Sequence, residues 1–208
     1  AVVSGEAEAD FDLGMRINVD ATRLLLDQAR RNGNVPRIVF TSSVAVFGGE
    51  LPEQVLDSTA PTPQGSYGAQ KVIGELLVSD CSRKGFIDGR SVRLPTITVR
   101  PGKANKAASS FASGIIREPL NGAEAVCPVP PETKVWAMSP RSAVRNLGHA
   151  HEVTREAVGT GGAISLPGLA TTAGEMVAAL ARVAGPEVAQ RVQWQKDEAI
   201  TRLVGSWP

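Results

Sequence analysis

A doubly wound, parallel α/β fold is what this sequence predicts, and three observations predict it. In the first half of the chain, short β-branched and apolar runs alternate with longer stretches of helical periodicity. The runs carry apolar residues at consecutive positions, as strands covered on both faces do. The order helix, strand, helix, strand is the βα alternation of a parallel sheet whose crossovers are helices.

From about Asp10 to Arg31, apolar residues at Leu13, Ile17, Ala21, Leu24, Leu25 and Ala29 have helical spacing, and Gly33 between Asn32 and Asn34 supplies a stop. Arg37-Ile38-Val39-Phe40-Thr41-Ser42-Ser43 then reads as a buried strand. Gly48-Gly49 and Pro52, Pro61 and Pro63 mark a long connection from about Gly48 to Gly65, and connections of that length are usually functional or disordered. Tyr67 to about Lys84 is helical again, with Val72, Ile73, Leu76 and Leu77 apolar, and Ser91 to Val99 reads as a strand entering an Arg100-Pro101-Gly102 loop. The second half is less regular. Helices are expected over Ser109–Leu120, Pro140 to about Val153, Thr171–Ala184 and Asp197–Trp207, with short strands at Ala125–Val129, Lys134–Met138 and Ala163–Leu166. Trp136, Trp194 and Trp207 read as core or interface anchors.

Composition narrows the partners. The 208 residues hold 22 Lys and Arg against 21 Asp and Glu, a net charge of +1, which gives no diffuse attraction to nucleic acid or an anionic membrane. No apolar run approaches the roughly 20 residues that span a bilayer. Cys81 and Cys127 lie far apart without a CxxC, and His149 and His151 are two apart on a helix, where they point to different faces; no metal site is expected. A reducing, cytoplasmic compartment is the default. Ala1-Val2-Val3-Ser4-Gly5 shows no signal-peptide pattern and reads as a chain entered in mid-course.

The residues that could carry chemistry are Ser42 and Ser43 at a strand end, then Tyr67 and Lys71 on the next helix. Tyr67 is the only tyrosine. Tyr and Lys at i, i+4 share one helix face. A lysine ammonium there is expected to lower the phenol from its usual value near 10 and make Tyr67 a general base. Ser43 lies at the carboxyl end of a strand, where α/β sheets place ligands, and its hydroxyl can orient a substrate hydroxyl or carbonyl.

These segments resemble a known family. Phe40-Thr41-Ser42-Ser43-Val44-Ala45-Val46-Phe47-Gly48 is similar to the strand-end serine segment of the extended short-chain dehydrogenase/reductases, the NAD-dependent epimerase/dehydratase family. Ser66-Tyr67-Gly68-Ala69-Gln70-Lys71 resembles its YxxxK, and Thr62-Pro63-Gln64 its usual lead-in. Asn18-Val19-Asp20-Ala21-Thr22 resembles its Asn-Val-x-Gly-Thr segment, and Arg93-Leu94-Pro95-Thr96 with Arg100-Pro101-Gly102 its nicotinamide-contacting strand and loop. Phe47 departs from the tyrosine many relatives carry there. Four segments, 45–49, 108–120, 126–130 and 139–141, look most like those of the family's sugar-acid dehydrogenases.

The resemblance implies the carboxyl-terminal part of a Rossmann-type sheet over residues 1–100, with 101–208 mainly a smaller substrate-capping lobe and about 135–166 returning to the sheet. It implies NAD as cofactor, a homodimer, and oxidation of a small sugar acid such as D-erythronate at C2, giving the 2-oxo acid. Ser43, Tyr67 and Lys71 would be catalytic, supported by Asn18. Ser42, Tyr67, Lys71, Leu94, Pro95 and Thr96 would face the cofactor. Ser43, Tyr67, Lys103, Arg117 and Arg141 would face the substrate, with Asn105 near it. No GxxGxxG turn occurs in these residues, so the resemblance implies that the pyrophosphate-binding half lies outside them. A nucleotide-sugar epimerase or dehydratase, and a non-catalytic binding module of the same fold, are the alternatives.

Overall fold

The computed structural model describes residues 1–102, 107–159 and 162–204. The chain opens on α1 (Ser4–Ala9) and α2 (Phe11–Gly14), continues as a π-helical segment (Met15–Asp20) and then as α3 (Ala21–Asn32). Asp10 caps α2 by accepting the Leu13 N–H at 2.9 Å, and Gly33, at φ 70°, ends α3 in the left-handed conformation that glycine adopts without strain.

β1 (Arg37–Ser43) runs straight into a 3₁₀ turn (Val44–Val46), and the connection that follows holds no helix or strand until α4 (Ser66–Arg83). After α4 come β2 (Asp88–Leu94) and β3 (Thr96–Ile97). The remaining elements are α5 (Phe111–Leu120), β4 (Ala125–Cys127), β5 (Lys134–Met138), α6 (Pro140–Glu152), α7 (Arg155–Val158), β6 (Ile164–Ser165), β7 (Leu169–Thr172), α8 (Ala173–Ala184), α9 (Pro186–Ala189), β8 (Val192–Trp194) and α10 (Glu198–Val204).

β1 and β2 pair in parallel from Arg37↔Asp88 to Ser43↔Leu94, and β6 adds to the far side of β2. A second sheet orders β3-β5-β7, parallel then antiparallel, and β4 pairs with β8. At the start of the main sheet Asp88 receives Arg37 at 2.8 Å and Arg90 at 2.5 Å, and Arg90 also donates to the Ala150 carbonyl of α6 at 2.9 Å, which fastens α6 to the strands. The largest apolar cluster lies in the second half: Phe111 and Ile115 of α5, Cys127, Val135 and Leu180 pack with Val44, Val46 and Phe47 from the turn after β1. The turn that follows Ser43 is therefore anchored in that cluster.

Three expectations change. The strand expected over Ser91–Val99 starts earlier, at Asp88, and breaks at Pro95, which has no N–H for a ladder; the two pieces join different sheets. The helix expected from Thr171 begins at Ala173, because Thr171 and Thr172 pair with Val135 and Lys134, and Thr172 then caps α8 in a reciprocal bond with Glu175. The third change concerns helix faces. The inward face of α4 is Gly68, Gln70, Lys71, Gly74, Glu75 and Val78, while Leu76, one of the apolar positions that gave the helical spacing, is 65% exposed. Ile17, Leu24 and Leu25 likewise point outward, and the buried positions nearby are Gly14, Asn18, Val19, Leu26 and Ala29.

Candidate active site

Ser43 is the last residue of β1 and Tyr67 stands in the first turn of α4, so their meeting depends on how closely that turn approaches the 3₁₀ turn after β1. Gly68 permits the approach. A Cβ on it would lie 2.1 Å from the Ala45 carbonyl oxygen and 2.9 Å from Pro63 Cβ. From the other side, Glu8 of α1 accepts the Ser66 N–H at 2.9 Å, placing a carboxylate at the positive end of α4.

The Ser43 hydroxyl accepts the Ala45 N–H at 3.2 Å and faces the Tyr67 phenol. Burial pushes the phenol above its ordinary value, and the nearby Ser43 hydroxyl only partly opposes that. The lowering by Lys71 expected from the i, i+4 spacing is not what the geometry gives. Lys71 Nζ donates to the Thr41 carbonyl at 2.7 Å, lies 4.9 Å from the Phe40 ring centroid and reaches the Tyr67 ring at 5.6 Å. Lys71 is itself buried, which lowers its pKa, with the Glu75 carboxylate opposing.

Ser43, Tyr67 and Lys71 share one cleft of about 240 Å³ with Leu94, Pro95 and Thr96. Ala1, Val3 and Ser4, Ala107–Ser109, and Leu203 and Val204 of α10 also contribute to its walls. Thr96 Oγ1 is buried there and has no hydrogen-bond partner among the described residues. An unsatisfied buried hydroxyl on a cleft wall suits a ligand that brings its own donor and acceptor, as a carboxamide does.

Other expected site residues lie elsewhere. Strand alternation sends Ser42 to the face opposite Ser43; its hydroxyl donates to Glu75 Oε1 at 2.5 Å, so Ser42 meets the cleft without a free side chain. Asn18 accepts the Val2 N–H at 2.9 Å and donates to the Val2 carbonyl at 3.0 Å and to Gln70 Oε1 at 2.7 Å. It braces α4 beside Lys71 and does not line the cleft. The guanidinium of Arg117 is held by Glu118 and by the Arg100 carbonyl at 2.8 Å, and Arg141 is exposed in the first turn of α6; neither reaches the cleft. Lys103, Asn105 and Trp207 lie outside the described residues. His149 and His151 are exposed on α6, and among the described residues no group of three His, Cys, Asp or Glu could hold a metal ion.

Arg100 was not among the expected substrate residues. It lines the cleft half-buried, and among the described residues it makes no ion pair. Burial, and secondarily the neighbouring Arg117, disfavour its charge, an arrangement that an anionic ligand would relieve. The Arg100-Pro101-Gly102 loop was the only sequence signal for it.

Known proteins resemble this chain over its whole length. The model of the NAD dependent epimerase/dehydratase family matches residues 4–158. The sequence is 61% identical over 208 residues to D-erythronate dehydrogenase of Cupriavidus necator and 50% identical to D-erythronate dehydrogenase of Haemophilus influenzae. In both comparisons all of this chain is covered, and it spans 64% and 66% of those relatives' own lengths. A crystal structure described as a nucleoside-diphosphate-sugar epimerase from Agrobacterium tumefaciens superposes with a TM-score of 0.92 at 52% identity, covering 100% of this chain and 62% of that one.

Proposed function

The chain belongs to the NAD dependent epimerase/dehydratase family, and from that premise we propose that the protein is an NAD-dependent dehydrogenase that oxidises a small sugar acid at C2, D-erythronate or a near relative. The observation that carries the reading is the convergence of Ser43, Tyr67 and Lys71 in one cleft with the cation of Arg100. The names of the two relatives supply the substrate class. NAD, when bound, supplies the acceptor for the hydride that leaves C2, and Lys71, Leu94, Pro95 and Thr96 are the residues that would hold its nicotinamide end.

The chain's own residues do the rest. Ser43 donates to and orients the C2 hydroxyl oxygen. Tyr67, as phenolate, takes the hydroxyl proton onto Oη as the C2–O bond becomes a carbonyl, so the substrate gives up one proton and one hydride and leaves as the 2-oxo acid. Lys71, held by the Thr41 carbonyl at the cleft wall, would bind the nicotinamide ribose of the cofactor. Arg100 binds the carboxylate and selects an acid over a neutral polyol.

The test is NAD reduction by the full-length protein, followed by absorbance, with four-carbon sugar acids, the corresponding neutral polyols and a nucleotide sugar. Turnover of the acids alone is expected. Arg100→Ala should raise KM for the acid roughly 10–100-fold, the equivalent of losing about 1.5–3 kcal/mol of charged hydrogen bonding. Turnover of the nucleotide sugar in place of the acids would instead make the protein an epimerase or dehydratase using the same trio.

Self-association belongs to the same reading. Phe11, Ile17, Leu24 and Leu25, together with Leu76 of the neighbouring α4, present apolar side chains to solvent, and a second copy of the same surface would cover them. Leu77, beside Leu76 in sequence, packs against the cluster of Leu26, Val78 and Ile87 instead. Light scattering at micromolar concentration should show a dimer for the wild type and a monomer for Leu24→Asp combined with Leu76→Asp. A monomeric wild type would remove the interface. Among the described residues no helix is long and apolar enough to cross a membrane.

A further inference from the structure

Behind the Ser43–Tyr67–Lys71 cleft lies a second layer of buried polar groups that the proposed mechanism does not use. Glu75 stands one helical turn after Lys71 on α4 and is 6% exposed, as is Lys71. Its Oε1 accepts the Ser42 hydroxyl at 2.5 Å and Arg93 Nε at 3.0 Å, and its Oε2 accepts Arg93 Nη2 at 2.8 Å. Arg93 is Ser42's register partner across β1 and β2, and its guanidinium stacks 4.9 Å from the Phe47 ring centroid. The carboxylate is thus held on three bonds from two strands.

We propose that Glu75 is a positioning residue: fixed by Arg93 and Ser42, its carboxylate keeps the buried Lys71 ammonium charged beneath Tyr67. A bare ammonium in this place would be unstable. Phe40 and the Thr41 carbonyl, the groups that face it from β1, are neutral. From β2 the charge present is Arg93, a second cation. Glu8 of α1 is spent on the Ser66 N–H, Asn18 and Gln70 are neutral, and Arg16, Asp20 and Arg23 of the neighbouring helices are exposed. Glu75 is also the one charged group that raises the Lys71 pKa against burial. A buried lysine without such a partner drops by several units, whereas an opposite charge nearby restores about 1–3.

The inference rests on the dehydrogenase reading only for what Lys71's charge is used for. Glu75→Gln alone leaves Arg93 buried and uncompensated, which is strongly destabilising. The informative variant is therefore Glu75→Gln with Arg93→Met, which neutralises both partners and keeps an apolar group on Phe47. In ¹⁵N-lysine-labelled protein, the Nζ titration of Lys71, assigned with Lys71→Arg, is expected to lie about one pH unit or more lower in the double variant than in Arg93→Met, which differs from it only in the Glu75 charge. In Glu75→Asp, which keeps both charges, it should stay near the wild-type midpoint. Equal midpoints in the double variant and Arg93→Met, or a fall of that size in Glu75→Asp, would overturn the proposal. A shifted midpoint in a protein that oxidises no sugar acid would leave Glu75's role standing and remove the substrate assignment alone.

Discussion

Tyr67→Phe in the full-length protein is expected to lower kcat by about 10²–10⁴-fold, the usual worth of a positioned proton acceptor, while the Kd for NAD stays near wild type. The substitution removes the Oη proposed to take the substrate proton but keeps the ring that Lys71 faces at 5.6 Å and the helix that carries both. Calorimetric titration of NAD measures the binding, and initial rates of NAD reduction measure the turnover. Near-wild-type turnover would transfer the role of base to another group. The direction of the pH dependence follows from burial. Because the phenol lies above its ordinary value, the phenolate accumulates only as pH rises into the alkaline range, so sugar-acid oxidation should climb with pH. Lys71, lowered by its own burial, does not titrate above the phenol but loses its charge within the same alkaline climb, which limits how far the rate rises.

Gly68→Ala is expected to be the most damaging single methyl group in the molecule. Its Cβ would stand 2.1 Å from the Ala45 carbonyl oxygen, a backbone atom that cannot rotate away, with Pro63 closing the other side. Ala gains about 0.8–1 kcal/mol over Gly as a helix former. Forcing apart two packed backbone segments costs typically 1–3 kcal/mol or more, so the clash wins. The melting temperature should fall by several degrees, at about 2–4 °C per kcal/mol for a chain of this size. Activity should fall further than stability, because the displaced turn carries Ser43 and displacements near 1 Å at a reacting centre cost about 10²-fold. Gly114→Ala on α5, where the new Cβ meets nothing within 4 Å, is the control: it should leave activity unchanged and raise the melting temperature by about 2–4 °C, the helix gain alone. A wild-type melting curve for Gly68→Ala would show that the turn after β1 can yield.

Much of the local structure was legible because short-range chemistry dictates it. Arg37–Ser43 is strand in both readings, since a β-branched run beside a glycine and proline stop has few alternatives. Ser139 and Pro140 begin α6 as a cap and a first-turn proline, and Gly33 ends α3 where it should. The pairing of Tyr67 with Lys71 on one helix face, and the place of Ser43 at a strand end, follow from spacing alone.

Sequence could not show which way the helices face. Periodicity assumes that the apolar stripe is the buried one. In α4 that rule inverts: Lys71 and Glu75 point inward because Thr41, Ser42 and Arg93 satisfy them there, and Leu76 is left outside. Departures from local rules of this kind gather where a fold keeps its chemistry. The same limit governs the arginines. Arg117 and Arg141 are indistinguishable from Arg100 as letters, yet Glu118 and the Arg100 carbonyl hold the first, solvent surrounds the second, and only Arg100 shares the cleft with Ser43 and Tyr67. Spacing brought out the proposed reacting groups and their order, because those depend on neighbours one helical turn or one strand position away. Their protonation, the face they use and the cation beside them were decided by the tertiary structure, because burial and charge pairing are set by residues distant in sequence, and it is desolvation that moves Tyr67 upward and Lys71 downward.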